Sequence, residues 1–329
     1  MAESLETAVN TSAAAALEAP RRVRPGRAST PQPPSWVEAL GPGGILKIVV
    51  LAALLSWMYW DHFVRLFKYW QEPDWSHGFL IPLFCLYLVH LRRDKLLSGT
   101  HSGSLWGLAL MILSSAVYAF SLYAKIGYPQ ALSIVSMIAG IVLLMRGWRT
   151  LWLTLFPIAF LILALPPPER MYRQITQPLQ QGAAALSTIV LNCLPGADVE
   201  RMGINISYWV RGHPSGTFTV AGACSGMRSL MAFVSIGLIL AYITPRPLWQ
   251  RLATAIVVVP VALFCNVVRV VVTGIFQMYG YGDLASGTPH MVLGLMTFAL
   301  GFAIFLGFLW VLDHLYLDNT EKPVAGVGT

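Results

Sequence analysis

Charge is scarce in this sequence. Asp, Glu, Lys and Arg make up 11% of its 329 residues, against about 25% in soluble domains. Apolar residues supply 56%. A chain with so few charges has too little polar surface to fold in water, so a soluble globular protein is excluded. Cysteine is scarce too: Cys85, Cys193, Cys224 and Cys265 are the four. They form no CxxC pair and no Cys/His spacing, which argues against a structural zinc site, and no metal or organic cofactor is implied. Cys85 and Cys265 fall inside apolar runs, where a thiol behaves as a small hydrophobe. A Cys193–Cys224 disulfide stays open. No basic tract is interleaved with aromatics, so the net charge of +7 speaks for membrane flanks rather than nucleic acid. No internal repeat of the kind that builds paired-repeat transporters is visible.

Long apolar runs are what the sequence does have. A span needs roughly 20 mostly apolar residues, with about 17 tolerated. Eight segments qualify or nearly qualify: 44–60, 78–91, 104–123, 129–145, 150–166, 225–243, 252–275 and 290–312. The expected fold is an all-α integral membrane protein. Residues 1–43 are rich in Ala, Pro and Ser with four arginines and read as a disordered cytosolic tail without the pattern of a secretory signal. Residues 44–312 form the membrane domain and 313–329 a second cytosolic tail. Arg92-Arg93, Arg146/Arg149 and Arg246/Arg251 fall on the side of both termini, which should be cytosolic. The RGWR stretch, Arg146–Arg149, makes spans four and five a helical hairpin. The segment 167–224 lies outside. Within it, 175–194 reads as an interfacial helix, with a ninth span as the alternative, and Gly203–Val210 with Gly216–Gly222 read as a β-hairpin.

The hairpin runs into TVAGACSGMRSL, Thr219–Leu230. Gly222-Ala223-Cys224-Ser225-Gly226 has the form G-x-C-x-G between a strand and a helix. Glycines permit a sharp turn, and a helix N-terminus lowers a thiol pKa and holds an oxyanion. Arg228 at i+4 adds positive charge. The plainer alternative is a tightly packed helix entry with an inert thiol. In the seventh span, Asn266 and Arg269 interrupt an apolar run. A guanidinium in a bilayer costs about 2.5–3.5 kcal/mol on insertion scales, so its presence points to function, unless it snorkels to the outer headgroups. Asn266, at i−3, either orients it or bonds another helix. His290 opens the eighth span from the outer side, where a lone histidine is ordinarily interfacial. His77, in Trp75-Ser76-His77-Gly78, opens the second span. Ser76 as a helix cap and Trp75 at the headgroups explain that motif, and a substrate contact by His77 is the alternative. Cys224, Arg269 and His290 all fall near the outer face. Thiol, guanidinium and imidazole suffice for acyl transfer.

At these residues the chain resembles the exosortase/archaeosortase family of membrane cysteine transpeptidases. The matching stretches are WSHGFLIP, PLQ with a small-residue helix, ACSGMRSL, NVVRV and the Pro289-His290 pair, spread over about 70–310. His290, where archaeal relatives tend to carry arginine, points to the bacterial exosortase branch. The resemblance implies Cys224 as nucleophile, Arg269 as electrostatic stabiliser and His290 as general acid/base. It also implies a place in the bacterial cytoplasmic membrane, with the site at the extracytoplasmic face. The implied clients are exported proteins with a C-terminal sorting signal made of a Pro-Glu-Pro-like motif, a membrane helix and a basic end. The family is associated with exopolysaccharide loci. Some members carry a further C-terminal soluble domain, not expected here. Arg170, Arg173 and Arg228 are candidates to meet an acidic motif. A transport or export component for polysaccharide or lipid is the rival reading. It would spread polar groups over several helices at midplane depth. The sequence is silent on client identity, on the acceptor and on oligomeric state.

Overall fold

The structure, a computed structural model, describes residues 36–98, 102–220 and 227–315. It is mostly helical. The chain divides into two units at Lys47/Ile48, and the contacts below lie within the second. The helices are α1 (Trp36–Met58), α2 (Trp60–Gln71), α3 (Leu80–Leu91), α4 (Arg93–Leu97), α5 (Trp106–Tyr123), α6 (Gly127–Phe160), α7 (Glu169–Asn192), α8 (Met227–Ile243), α9 (Leu248–Met278) and α10 (Gly287–Leu315). A 3-10 segment, Pro73–Phe79, leads into α3.

Among the described residues, five helical stretches are long and apolar enough to cross a membrane. They comprise α1, α5, α9, α10 and α6 with its 3-10 extension to Ala164. The second and sixth expected segments form shorter apolar helices, α3 with 12 residues and α8 with 17. The fourth and fifth share α6. At Gly147 the backbone leaves the helix, with φ 79° and ψ −176°, a region open essentially to glycine alone. Ala131, Val135 and Leu143 before this residue join Leu151, Ile158 and Leu165 after it in one buried cluster. The RGWR hairpin is therefore a reversal at glycine. A Cβ on Gly147 would also stand 2.2 Å from the Ser102 carbonyl oxygen. Gly147→Ala should therefore cost about 1–3 kcal/mol from backbone strain alone, read as a lowered unfolding temperature in detergent.

Between α6 and α8 lies a cap. The buried residues of α7 are Thr176, Ala183, Ala184, Ser187 and Leu191, a helical stripe dominated by small side chains. That stripe lets α7 lie close against α9, where the Ser187 hydroxyl donates to the Val267 carbonyl at 3.5 Å. The helix is not among those apolar enough to span. The sheet needs a correction: it has three antiparallel strands, not two, in the order β1 (Ala197–Met202), β2 (Asn205–Val210), β3 (Gly216–Thr219). Val199 faces Tyr208, and Ile206 faces Phe218. The added strand, ADVERM, has one buried residue, Val199, so its sequence carries almost no alternation. A side chain of α7 fixes it. The Asn192 amide donates to the Val199 carbonyl and accepts from its N–H, both at 2.8 Å, as a neighbouring strand would. Val199, Ile206, Val210 and Val220 then share a core with Leu191, Val270 and Met278, which holds the sheet against the second half of α9.

Connections expected on the same side meet each other. Arg92 lies over the Tyr242 ring, 4.5 Å from its centre, and Arg246 pairs with Asp313 at 2.8 Å. Residues 62–75, 126–131 and 166–172 line one cleft, and the Tyr208 hydroxyl donates to the Gln277 carbonyl at 3.1 Å.

Candidate active site

Arg269 is the most informative residue of the molecule. It sits in the 31-residue apolar helix α9, nine residues or about 13 Å of rise before its end. Its side chain does not snorkel. Arg269 is 9% exposed and its guanidinium is turned onto two other helices. Nη2 donates to the Ser229 hydroxyl of α8 at 3.3 Å, and to the Gly294 carbonyl of α10 at 3.2 Å. Nε and Nη2 reach the Thr297 hydroxyl at 3.4 and 3.3 Å. The absence of a side chain at Gly294 makes room, since a Cβ there would be 3.3 Å from Nη2. A planar fork of donors spans the two helices in a way a single ammonium cannot.

These bonds tie α9 to the two segments that matter. Ser229 lies in the first turn of α8, five residues after Cys224. Gly294 lies one turn after His290, on the same face of α10. His290 occupies the first turn of α10 and is half-buried. Cys224, and with it the whole G-x-C-x-G stretch, lies outside the described residues, which resume at Met227. Its two flanks are both held against α9. Val220 packs in the core with Val270, and Ser229 accepts the bond from Arg269.

Asn266 is 4% exposed. Neither its amide nitrogen nor its oxygen has a partner among the described residues, and the hydroxyl of buried Thr273 has none either. A buried amide left unsatisfied costs about 1–3 kcal/mol, so such groups call for an explanation. Asn266 thus neither orients Arg269 nor bridges helices in the bonds seen. At 100° per residue, Asn266 and Thr273 fall between Arg269 and Val270 on the α9 surface. Those two neighbours mark the two anchored flanks of the cysteine segment. Thr273 was not singled out from sequence, although it continues the i, i+3, i+7 row of Asn266 and Arg269.

The WSHG motif has a structural logic. Trp75 is buried, not at the headgroups, and it packs on Tyr172 and His77. Ser76 does not cap a helix; its hydroxyl donates to the Pro73 carbonyl at 3.1 Å. A Cβ at Gly78 would lie 2.2 Å from the Trp70 indole nitrogen, which donates to the Ala164 carbonyl at 2.8 Å. His77 lies 3.3 Å through Nε2 from the Leu163 carbonyl. Burial pushes its pKa down, opposed by the carbonyls of Leu163 and Asp74 and by the Asp74 charge. Asp74 links this segment to its neighbours. It accepts from the Tyr172 hydroxyl at 3.1 Å and lies 3.9 Å from Arg228. Arg228 therefore opens α8 as the partner of a carboxylate. Arg173 pairs with Glu169, and Arg170 is exposed beside them. The structure thus brings Arg269 to Ser229 in the first turn of α8 and to Gly294, one turn after His290 in α10. It sets Arg228 with Asp74 and places His77 against the end of α6.

A membrane-embedded helical protein with a buried guanidinium joining three helices below a small cap is the class these features define. A family model described as transmembrane exosortase matches residues 69–307, and the chain belongs to that family. No curated protein and no solved structure matches it significantly. Membership supports a membrane peptidase or transpeptidase role in broad terms.

Proposed function

We propose that the protein is a membrane cysteine peptidase/transpeptidase that cleaves a C-terminal sorting signal of Pro-Glu-Pro type through a Cys224 thioester. It has eight spans in the bacterial cytoplasmic membrane, with α3 and α8 extended by their flanks, and its site faces the extracytoplasmic side. The observation that carries this reading is the buried Arg269 bonded to Ser229 of α8 and to Gly294 and Thr297 of α10. It supports a meeting of the segments that contribute thiol and imidazole.

In the reaction, the Cys224 sulfur attacks the carbonyl carbon of the client peptide bond. Arg269 stabilises the negative charge on sulfur and on the tetrahedral oxygen. His290, having taken the thiol proton, returns it to the leaving nitrogen as the C–N bond breaks. The client is then a thioester, and the membrane-helix fragment leaves with a free amine. An acceptor amine next attacks the thioester carbonyl and gives a proton to His290. The C–S bond breaks, and the thiol is restored. Asn266 and Thr273, both buried and unpartnered among the described residues, supply the hydrogen bonds that hold the cysteine segment or the client backbone. Arg170 and Arg173 meet an acidic client motif from the rim.

The test is to trap the intermediate. Client incubated with the enzyme and quenched in acid should leave a Cys224 peptide carrying the client's new C-terminus. Mass spectrometry should find this adduct, and hydroxylamine should release it. A cleaved client without such an adduct, under conditions that slow the second step, removes the thioester.

A further inference from the structure

The helix α2, the Pro73–Phe79 segment, the start of α6 and the start of α7 enclose a cleft of about 590 Å³. His62 lines it and is 8% exposed, yet neither ring nitrogen has a hydrogen-bond partner among the described residues. Burial, aided by the nearby Arg65 charge, holds the ring neutral by lowering its pKa. One nitrogen is then a donor and the other an acceptor, both desolvated and unused. His62 thus places an unsatisfied donor and an unsatisfied acceptor in the wall of the cleft.

The lining is polarised. At one end, Arg65 donates to the Oε1 atom of buried Gln130 at 3.0 Å, beside His62. At the other stand Glu72 and Asp74. Asp74 is shared with Arg228 and Tyr172, and Glu169 with Arg173. Glu72 enters none of the ion pairs among the described residues. Tyr69 and Trp75 also line the cleft, and aromatic rings attract an ammonium. Arg65 and Glu72 are seven positions apart, about 10 Å along a helix. That separation matches an extended chain of about three residues and exceeds the spacing of charges in a single amino acid.

We propose that this cleft binds an oligopeptide of about three residues, its terminal carboxylate at Arg65 and His62 and its terminal ammonium at Glu72 and Asp74, and that this amine is the acceptor that takes the acyl group from Cys224. The second half rests on the function proposed above. Asp74 supports it, because the same carboxylate that marks the ammonium pole pairs with Arg228, four residues after Cys224. In the transfer Glu72 takes one proton of the bound ammonium, the freed amine forms the amide C–N bond as the thioester C–S bond breaks, and its second proton passes through His290 to the Cys224 sulfur. No other reagent is needed.

Trialanine is the probe, added to full-length Cys224→Ala protein in nanodiscs and followed by isothermal titration. Saturable binding is expected. N-acetylation of the probe, or Glu72→Gln, should weaken it at least tenfold, and the two together should weaken it no further. Arg65→Gln should weaken trialanine but not trialanine amide, and Arg65→Lys should restore part of the loss. No saturable binding, equal binding of the acetylated probe, or equal binding of free alanine would overturn the site. The acceptor role is read separately with wild-type enzyme and client, where trialanine should appear joined to the client's new C-terminus. Binding without that product overturns the acceptor role and leaves the cleft. Absence of any Cys224 adduct overturns the catalytic reading while the binding result stands.

Discussion

Cys224→Ala should abolish client processing in cells while the amount of enzyme in the membrane stays at the wild-type level. The expected loss is at least about 10⁴-fold, the scale on which removal of a nucleophile acts when the other groups cannot replace it. Cys224→Ser should lose nearly as much, because a hydroxyl is not ionised in a setting that ionises a thiol. The substitution should be structurally mild. Both flanks of the segment are held independently of the thiol, Val220 by the core around Val270 and Met227 by the cluster around Phe233 and Phe305. Immunoblotting of a client before and after loss of its C-terminal helix reads the outcome. Processing retained in Cys224→Ala removes the peptidase.

The second large effect belongs to Arg269. Arg269→Gln should lower kcat by about 10²–10³-fold, the usual consequence of removing one preorganised donor to a developing negative charge. KM should change little. Arg269→Lys should recover only a small part. One ammonium on a flexible stem cannot reach Ser229 on α8 and both Gly294 and Thr297 on α10 as the guanidinium does. Stability should not follow activity. Replacing a buried charge by a neutral group of similar size removes its desolvation cost. Thr297 keeps its bonds to the Leu293 and Gly294 carbonyls. Arg269→Met should therefore unfold at the wild-type temperature or above and remain inactive. A variant that loses activity only in proportion to lost folded protein would make Arg269 a packing residue.

Much of this was legible in the sequence for a plain reason. A polar residue inside an apolar run stands out, so Asn266 and Arg269 announce themselves, and the reversal at RGWR shows as charge around a glycine. Helices α5, α9 and α10 follow from hydropathy. What stayed hidden depends on distant partners. Strand ADVERM exists because Asn192 pairs with Val199, and nothing in six residues, half of them charged, signals that bond. Trp75 looked like a headgroup residue, yet it is buried against Tyr172, nearly a hundred positions away. The cleft around His62 draws its walls from segments that are each unremarkable alone. Thr273 lacked a partner rather than a pattern, and a missing hydrogen bond is visible only in three dimensions. Arg228 read as a free charge near the thiol, and the structure pairs it with Asp74.

In the proposed mechanism thiol, guanidinium and imidazole act on one another at the outer border of the membrane. The most direct measurement is the rate of Cys224 alkylation against pH, resolved by mass spectrometry from Cys85, Cys193 and Cys265. The midpoint should lie clearly below the ordinary thiol value of about 8.5, because two cationic groups favour the thiolate. Arg269→Gln and His290→Ala should each move the midpoint upward. An ordinary midpoint in the wild type, unchanged by either substitution, would contradict this mechanism.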